Sequence, residues 1–240
     1  YSEISKEKFH ELRNIDFIVF TSTNRSEKGI PALCLHAPGN WRSADLGGKG
    51  GSICPTSAFV MKFLFKKMKK NRDDEKNVSE KYILSLEATH HGPLIDIPCC
   101  FIELGSSEQE WQDRSAAMVL AKSIHALQEY KPDLSWKACL AVGGPHYAPN
   151  FNDLQLNSEY AIGHILPQYA LPATNSMLKE AEMKKVAECI SRVLSETGQY
   201  RLPSMKEERK TYLEQFRKEI DRNEKIKEIG AEVTRFATAF

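Results

Sequence analysis

Several sequence patterns that would assign a function directly are missing from this chain. Its 240 residues contain no CxxC or HExxH spacing and no GxSxG, GxGxxG or Walker-type glycine loop. The longest apolar stretches are too short to span a bilayer, and no signal-like segment leads the chain. Neither sign of charge predominates, because 33 Lys and Arg accompany 32 Asp and Glu. We therefore predict a soluble cytoplasmic monomer with no membrane or DNA partner, in which any polyanion is bound by a local basic patch.

The cysteines also lack a pattern that would indicate a metal site or a disulfide framework. Most of them lie in apolar runs, where a small thiol packs well, so we predict reduced residues in an intracellular protein. They are Cys34, Cys54, Cys99, Cys100, Cys139 and Cys189. The length and the 41% hydrophobic content predict one α/β domain over residues 1–200, followed by a charged helical extension over 201–240.

Strand-like and helix-like segments alternate along the chain, which predicts a mixed, largely parallel central sheet with helices on both faces. Strands are predicted at 16–22, 31–37, 81–88, 97–105, 136–144 and 159–171. Helices are predicted at 3–13, 56–70, 108–130, 175–196 and 205–229. The spacing of Ser107 and Glu110 predicts a capping box, whereas 38–55 and 71–80 are predicted as connections.

Five of the seven histidines lie in segments punctuated by glycine or proline, and three of these segments close or follow a predicted strand. Because strand ends deliver binding residues in open α/β sheets, we expect the segments to converge. The histidines are His36 in "HAPGNW", His90 and His91 in "ATHHGP", His146 in "GGPHYAP" and His164 in "GHILP". Imidazoles can act as acid or base, can hold zinc with a carboxylate, or can serve structure alone. The nearby carboxylates are Glu87, Asp96 and Glu103, and in an extended backbone the pair at 90 and 91 would point apart.

A second candidate feature is a set of cations on and before the first long predicted helix. Their pattern is compatible with phosphate contacts and, equally, with a solvated helix face. Trp41 and Tyr147 are predicted either to stack on a base or to belong to the core. The cations are Lys62, Lys66, Lys69 and Lys70 on the helix, with Arg42 and Lys49 in the preceding loop.

Four motifs in one order carry a family resemblance: "LHAPGNW" with "PTSAF", "LEATHHGP" with "FIELGSSEQEW", "VGGPHYAP" and "GHILPQYA". Over residues 31–172 the chain resembles the D-aminoacyl-tRNA deacylases of the archaeal and plant type. The resemblance implies hydrolysis of the ester between a D-amino acid and the 3′ end of tRNA. It also implies a phosphorylase-like sheet with a core like that of peptidyl-tRNA hydrolase, and Zn²⁺ as cofactor.

Carried over motif by motif, the resemblance implies catalytic roles, among which Asn40 is the candidate amide donor to substrate or oxyanion. The implied catalytic residues are His36, Asn40, His90, His91, Glu103 and His146. The candidate metal ligands are His90, His91 and His164, and the motifs leave open which histidine is the base and which, if any, binds metal. The charge pattern, and not the resemblance, makes the six cations named above candidate tRNA contacts.

Two departures from the family pattern keep other functions open. The family carries a βα segment before the part that corresponds to Tyr1, so an edge of the sheet is expected to be missing, and residues beyond 174 match poorly. The alternatives are a tRNA-binding protein without catalysis and a metal-dependent hydrolase or phosphorylase acting on a free small molecule.

Overall fold

A central sheet of four strands organises the part of the chain that a computed structural model describes, residues 3–4, 15–133 and 135–170. These residues belong to one contact unit, Tyr1–Glu188. The strands are β1 (Glu3–Ile4), β2 (Ile18–Thr23), β3 (Ala32–His36), β4 (Gly39–Asn40), β5 (Ser52–Ile53), β6 (Ile83–Leu86), β7 (Leu94–Ile95), β8 (Cys99–Gly105), β9 (Lys137–Val142) and β10 (Tyr160–Leu166). The helices are α1 (Ala58–Asp73), α2 (Lys76–Lys81), α3 (Glu108–Trp111), α4 (Arg114–His125) and α5 (Asn152–Asn157), with short 3₁₀ turns at Ala126–Glu129, Pro149–Phe151 and Gln168–Ala170.

The sheet has the strand order β2-β8-β3-β6. The strands β2 and β8 run parallel, as do β3 and β6, whereas β3 and β8 are antiparallel. A separate parallel pair is formed by β9 and β10. Every residue of β3 and β8 is buried, as near-continuous apolar runs require when both faces of a sheet are covered. The predicted mixed, largely parallel α/β fold is therefore confirmed.

The helix boundaries differ from the prediction in two places. The segment 71–80 was predicted as a connection, but α1 continues to Asp73 and α2 follows, because Val78 is buried in the core and anchors this polar stretch. The single helix predicted over 108–130 is divided, since Asp113 caps a new helix by accepting from the backbone N–H groups of Ser115 and Ala116. The capping box of Ser107 and Glu110 is confirmed.

Other predictions concern the chain ends, the thiols and the membrane. Residues 3–4 form a strand rather than the start of a helix, and the predicted helices 175–196 and 205–229 lie outside the described residues, as do the boundary near 200 and Cys189. None of the five described cysteines forms a disulfide, and Cys34, Cys54, Cys99 and Cys100 are buried. Within the described ranges, no helix has both the length and the apolar character needed to cross a membrane.

The outer strand β6 is held by a side-chain amide. Asn152 accepts a hydrogen bond from the backbone N–H of Leu86 at 2.9 Å and donates one to the carbonyl of Leu84 at 2.9 Å. This pairing satisfies backbone groups that a terminal strand otherwise leaves unpaired.

Asn152→Ala should therefore lower the free energy of unfolding by about 1–3 kcal/mol, because two strand groups lose their partners. Urea denaturation measures this loss. Asn157→Ala is the matched control, since the amide of Asn157 makes an exposed hydrogen bond to Asp153 and should cost no more than about 0.5 kcal/mol. Equal losses in both variants would contradict a role for Asn152 in holding the strand.

Candidate active site

Four chain segments meet beside the C-terminal ends of β3 and β6. His36 is the last residue of β3 and Glu87 directly follows β6. Glu103 lies in β8, paired with Cys34 across the antiparallel register. The turn that carries His90 and the turn that follows β9 and carries His146 complete the cluster. The meeting of His36 and Glu87 follows from the topology, since adjacent parallel strands such as β3 and β6 deliver residues to the same edge of a sheet.

The Oε2 atom of Glu87 is the centre of this cluster. The Nε2 atoms of His36, His90 and His146 each lie 3.9 Å from it. The Nε2 atom of His36 lies 3.7 Å from Oε2 of Glu103. These separations are too long for direct hydrogen bonds. They suit polar atoms that all contact one small bound species, such as a water molecule or a metal ion, placed between them.

The histidine rings pack directly on one another. The ring centroids of His36 and His90 are 4.2 Å apart, those of His90 and His91 4.4 Å, and those of His90 and His146 4.3 Å. An extended backbone would separate His90 from His91, but His91 has a φ of +45°, in the left-handed region that few side chains adopt. This conformation brings both members of the pair into the cluster.

Backbone carbonyls fix the tautomers of three imidazoles. The Nδ1 atoms of His36, His90 and His91 are hydrogen-bonded to the carbonyls of Ala37 at 3.2 Å, Ala88 at 2.8 Å and Gly92 at 2.5 Å. A carbonyl can only accept, so each Nδ1 carries the hydrogen. In the neutral ring Nε2 therefore keeps its lone pair, ready to accept a proton or to bind a metal ion.

Burial determines the charge state of the cluster. Removal from water lowers the pKa values of His36 and His90 well below the usual value, with neighbouring imidazoles acting in the same direction, and burial also lowers the pKa of His146. Burial, followed by repulsion from Glu103, raises the pKa of Glu87 to about 8, and burial raises that of Glu103. The imidazoles of His36, His90 and His146 are therefore neutral at neutral pH.

The cluster opens into a cavity of about 400 Å³. His90, His91 and His146 line it, whereas His36, Glu87 and Glu103 are buried behind them. Trp41 forms part of the wall, with its indole N–H donating to the carbonyl of Ile165 at 3.0 Å. The remaining lining residues are Gly39, Asn40, Arg42, Ser43, Asp45, Leu46, Thr89, Tyr169 and Ala170.

The glycine loop around residues 47–48 forms a wall by close backbone approach. A Cβ atom on Gly92 would lie 2.5 Å from the backbone nitrogen of Gly48, so only glycine fits beside the histidine pair. The amide of Asn40 donates to the carbonyl of Gly47 at 2.9 Å. One hydrogen of this predicted amide donor is thus used to hold the wall.

Three overlapping groups of side chains have ligand atoms close enough together to hold a metal ion. They are Glu87 with His90 and His146, His36 with His90 and His91, and His36 with Glu87 and Glu103. The first group fits zinc best, because Oε2 of Glu87 is buried with no hydrogen-bond partner among the described residues. It joins two nitrogens to one carboxylate oxygen, and tetrahedral ligands lie roughly 3.4 Å apart around zinc.

His164 is not a member of any of these groups within the described ranges. Its Nδ1 atom is 3.0 Å from the hydroxyl of Thr89, which also accepts from the backbone N–H of Ile165. The structure therefore does not assemble the expected metal set of His90, His91 and His164. Asp96 is exposed and also lies outside these groups.

The predicted cation surface needs one correction. Lys62 is fully buried, and its Nζ atom donates to the backbone carbonyls of Gln155, Ser158 and Tyr160, so its assignment to tRNA contacts is wrong. The helical pattern placed Lys62 opposite the apolar stripe, but α1 is covered there by the chain around 155–160. Arg42, Lys49, Lys66 and Lys70 are exposed, and Lys69 and Lys70 form ion pairs with Asp73 and Asp74.

Two residues of the site were not assigned roles by the sequence. The sequence identifies Glu87 only as an available carboxylate. A single charged residue directly after an apolar strand is a pattern that could have indicated a site residue. Asn24 had no signal, because its contact with Glu87 joins residues 63 positions apart. Tyr147 has its hydroxyl 2.9 Å from the Asn24 amide, and its side chain is not among those that line the cavity.

Comparison with known proteins gives matches to one family. The family model for D-aminoacyl-tRNA deacylase matches residues 11–223. A D-aminoacyl-tRNA deacylase of Pyrococcus abyssi is 37% identical over 167 residues, 69% of this chain and 59% of the relative. That of Thermococcus kodakarensis is 36% identical over 180 residues, 74% and 63% respectively. The chain thus spans about three fifths of the length of these relatives.

A solved structure supports the fold. The crystal structure of a conserved protein of unknown function superposes with a TM-score of 0.68 and 28% sequence identity. The match covers 81% of this chain and 73% of that one.

Proposed function

Because the chain belongs to the D-aminoacyl-tRNA deacylase family, we propose that it hydrolyses the ester between a D-amino acid and the 3′ end of tRNA. The products are free tRNA and the D-amino acid, which makes the reaction a quality-control step of translation in the cytoplasm. One observation carries the proposal. Imidazoles whose Nδ1 atoms are committed to backbone carbonyls line a cavity of about 400 Å³ with their Nε2 atoms available, and a buried carboxyl group lies behind them.

Ester hydrolysis requires a base for the attacking water and a proton for the departing ribose oxygen. We assign both steps to His91, which lines the cavity and whose Nδ1 is held by the carbonyl of Gly92. Its Nε2 takes a proton from water and then passes it to the 3′ oxygen. The second N–H of the Asn40 amide serves as a donor to the developing oxyanion.

We propose zinc as the cofactor, held by Glu87, His90 and His146. The carbonyl of Ala88, which accepts from Nδ1 of His90, is the kind of partner that orients a ligating imidazole. When bound, zinc acts as a Lewis acid that polarises a carbonyl and makes water more acidic. Of the three residues that would hold the ion, His90 and His146 line the cavity and Glu87 lies behind them.

The tRNA backbone is proposed to contact the exposed cations. Arg42 lines the cavity and Lys49 lies in the adjoining glycine loop, close to where the 3′ end would enter. Lys66, Lys69 and Lys70 on α1 form a second group of candidate contacts. A monomeric state and the absence of a DNA partner remain predictions.

The test compares D-tyrosyl-tRNA with L-tyrosyl-tRNA as substrates of the purified chain. We expect release of free tRNA from the D form and little from the L form. Equal rates would contradict stereospecific deacylation, and tRNA binding without hydrolysis of the D form would favour a non-catalytic binding protein. Tight zinc binding without tRNA affinity would favour a hydrolase of small molecules.

A further inference from the structure

We propose that Asn24 is a positioning residue, which holds the carboxylate of Glu87 so that its Oε2 atom faces the imidazoles of the site. The inference concerns a residue outside the cavity and rests on the proposed ester hydrolysis for its kinetic test. It is carried by hydrogen bonds, packing and the position of Asn24 behind the cluster.

The Nδ2 atom of Asn24 donates to Oε1 of Glu87 at 2.8 Å and to the hydroxyl of Tyr147 at 2.9 Å. An amide nitrogen carries two hydrogens, so these two short bonds use both of them, and the longer contact of Nδ2 with the Cys34 sulfur at 3.6 Å is secondary. With Oε1 held in this way, Oε2 is the oxygen that remains for His36, His90 and His146. It is buried and has no hydrogen-bond partner in the described part of the chain.

Hydrogen bonding determines the orientation of the Asn24 amide. Turning it over would place Oδ1, an acceptor, where Nδ2 now donates to Oε1 of Glu87, so that donated hydrogen bond would be lost. In the observed orientation Oδ1 lies over Gly105, where a Cβ atom would collide with it. The backbone of Asn24 is also fixed, since its N–H donates to the carbonyl of Leu104 at 3.2 Å and its carbonyl accepts from the indole of Trp111 at 2.9 Å.

Asn24 is not among the residues that line the cavity. A change at this position therefore removes no side chain from the surface that contacts the substrate and reaches the reaction through Glu87 and Tyr147. This separates a positioning role from a binding role, because the former affects kcat and the latter KM.

The kinetic experiment measures kcat and KM of Asn24→Ala with D-tyrosyl-tRNA. Loss of a residue that orients a metal-binding side chain commonly costs 10- to 100-fold in activity. We therefore expect kcat to fall by about that factor and KM to stay within about threefold. Asn24→Asp is the second variant, because it keeps the shape and replaces the donor by an acceptor; its kcat should fall at least as far. Asn71→Ala is the matched control, since it removes a half-buried amide that donates to Ser123 at 3.0 Å.

A second measurement is independent of tRNA. In protein labelled with ¹³C at the glutamate carboxyl groups, the Glu87 resonance is identified by its disappearance in Glu87→Gln. Asn24→Ala should move this resonance further than Asn71→Ala does. An unmoved Glu87 resonance, or a wild-type kcat in both Asn24 variants, overturns the inference. Absence of deacylation in the wild-type chain overturns the proposed function instead, and the Glu87 resonance then decides the role of Asn24 alone.

Discussion

Replacing His91 by alanine is expected to lower kcat for deacylation by about 100- to 10,000-fold, the usual contribution of a general acid or base. The reason is structural. Nδ1 of His91 is committed to the carbonyl of Gly92, so Nε2 is its available base, and the ring faces the cavity. Zinc content of the purified protein should remain unchanged, because His91 is not part of the proposed zinc set.

Replacing His90 by alanine gives a contrasting result. Its Nε2 lies 3.9 Å from Oε2 of Glu87, in the group proposed to hold zinc, so both kcat and zinc content should fall. In a double variant with Glu87→Gln, the loss in kcat should be close to that of the larger single loss, since residues that act as one unit are not additive. Metal analysis and single-turnover deacylation measure the two effects separately.

His125→Ala is the control for loss of an imidazole, because His125 is exposed at the end of α4. It should retain wild-type activity and zinc. The assignment of acid–base catalysis to His91 and of zinc binding to His90 is wrong if His91→Ala loses zinc while His90→Ala retains it. The whole site assignment fails if neither variant slows deacylation.

The second large effect is on stability. Lys62→Met should lower the free energy of unfolding by about 3–5 kcal/mol, because three backbone carbonyls lose their donor at about 1–3 kcal/mol each and this loss is partly offset by no longer burying a charge. The ammonium group of Lys62 is shared by three backbone carbonyls, two of them at 2.9 Å, in a position without solvent contact. Burial lowers its pKa to about 8, so it remains largely protonated at neutral pH and can serve all three acceptors. Methionine fills the same space but donates to none of them.

Urea unfolding of Lys62→Met and Lys66→Ala measures this difference. Lys66 lies one helical turn further along α1 and is exposed, so its removal should change stability by no more than about 0.5 kcal/mol. The two variants should differ in the opposite way in tRNA binding. Lys66→Ala should flatten the dependence of tRNA affinity on salt concentration, and Lys62→Met should not. A stable Lys62→Met protein with a flattened salt dependence would restore Lys62 to the tRNA surface.

Local patterns in the sequence were sufficient for much of the fold. The runs at 31–37 and 97–105 predicted buried strands because an apolar segment of that length must be covered on both faces, and β3 and β8 are buried throughout. Local patterns also misled the prediction, as in the segment 71–80. The residues around 71–80 are too polar to indicate a helix, and only the burial of Val78 in the tertiary structure explains why one forms there.

The sequence by itself determined the fold class and the segments that would supply the imidazoles, because these depend on spacing along the chain, and its motifs carried the resemblance to the family. Only the tertiary structure decided which atoms meet. It placed Glu87 at the centre of the cluster, put Asn24 behind it and left His164 outside the candidate metal groups. It also buried Lys62 beneath a segment more than 90 positions away. Such contacts join residues that are distant in sequence, and the helical or strand period of one segment carries no information about what covers it.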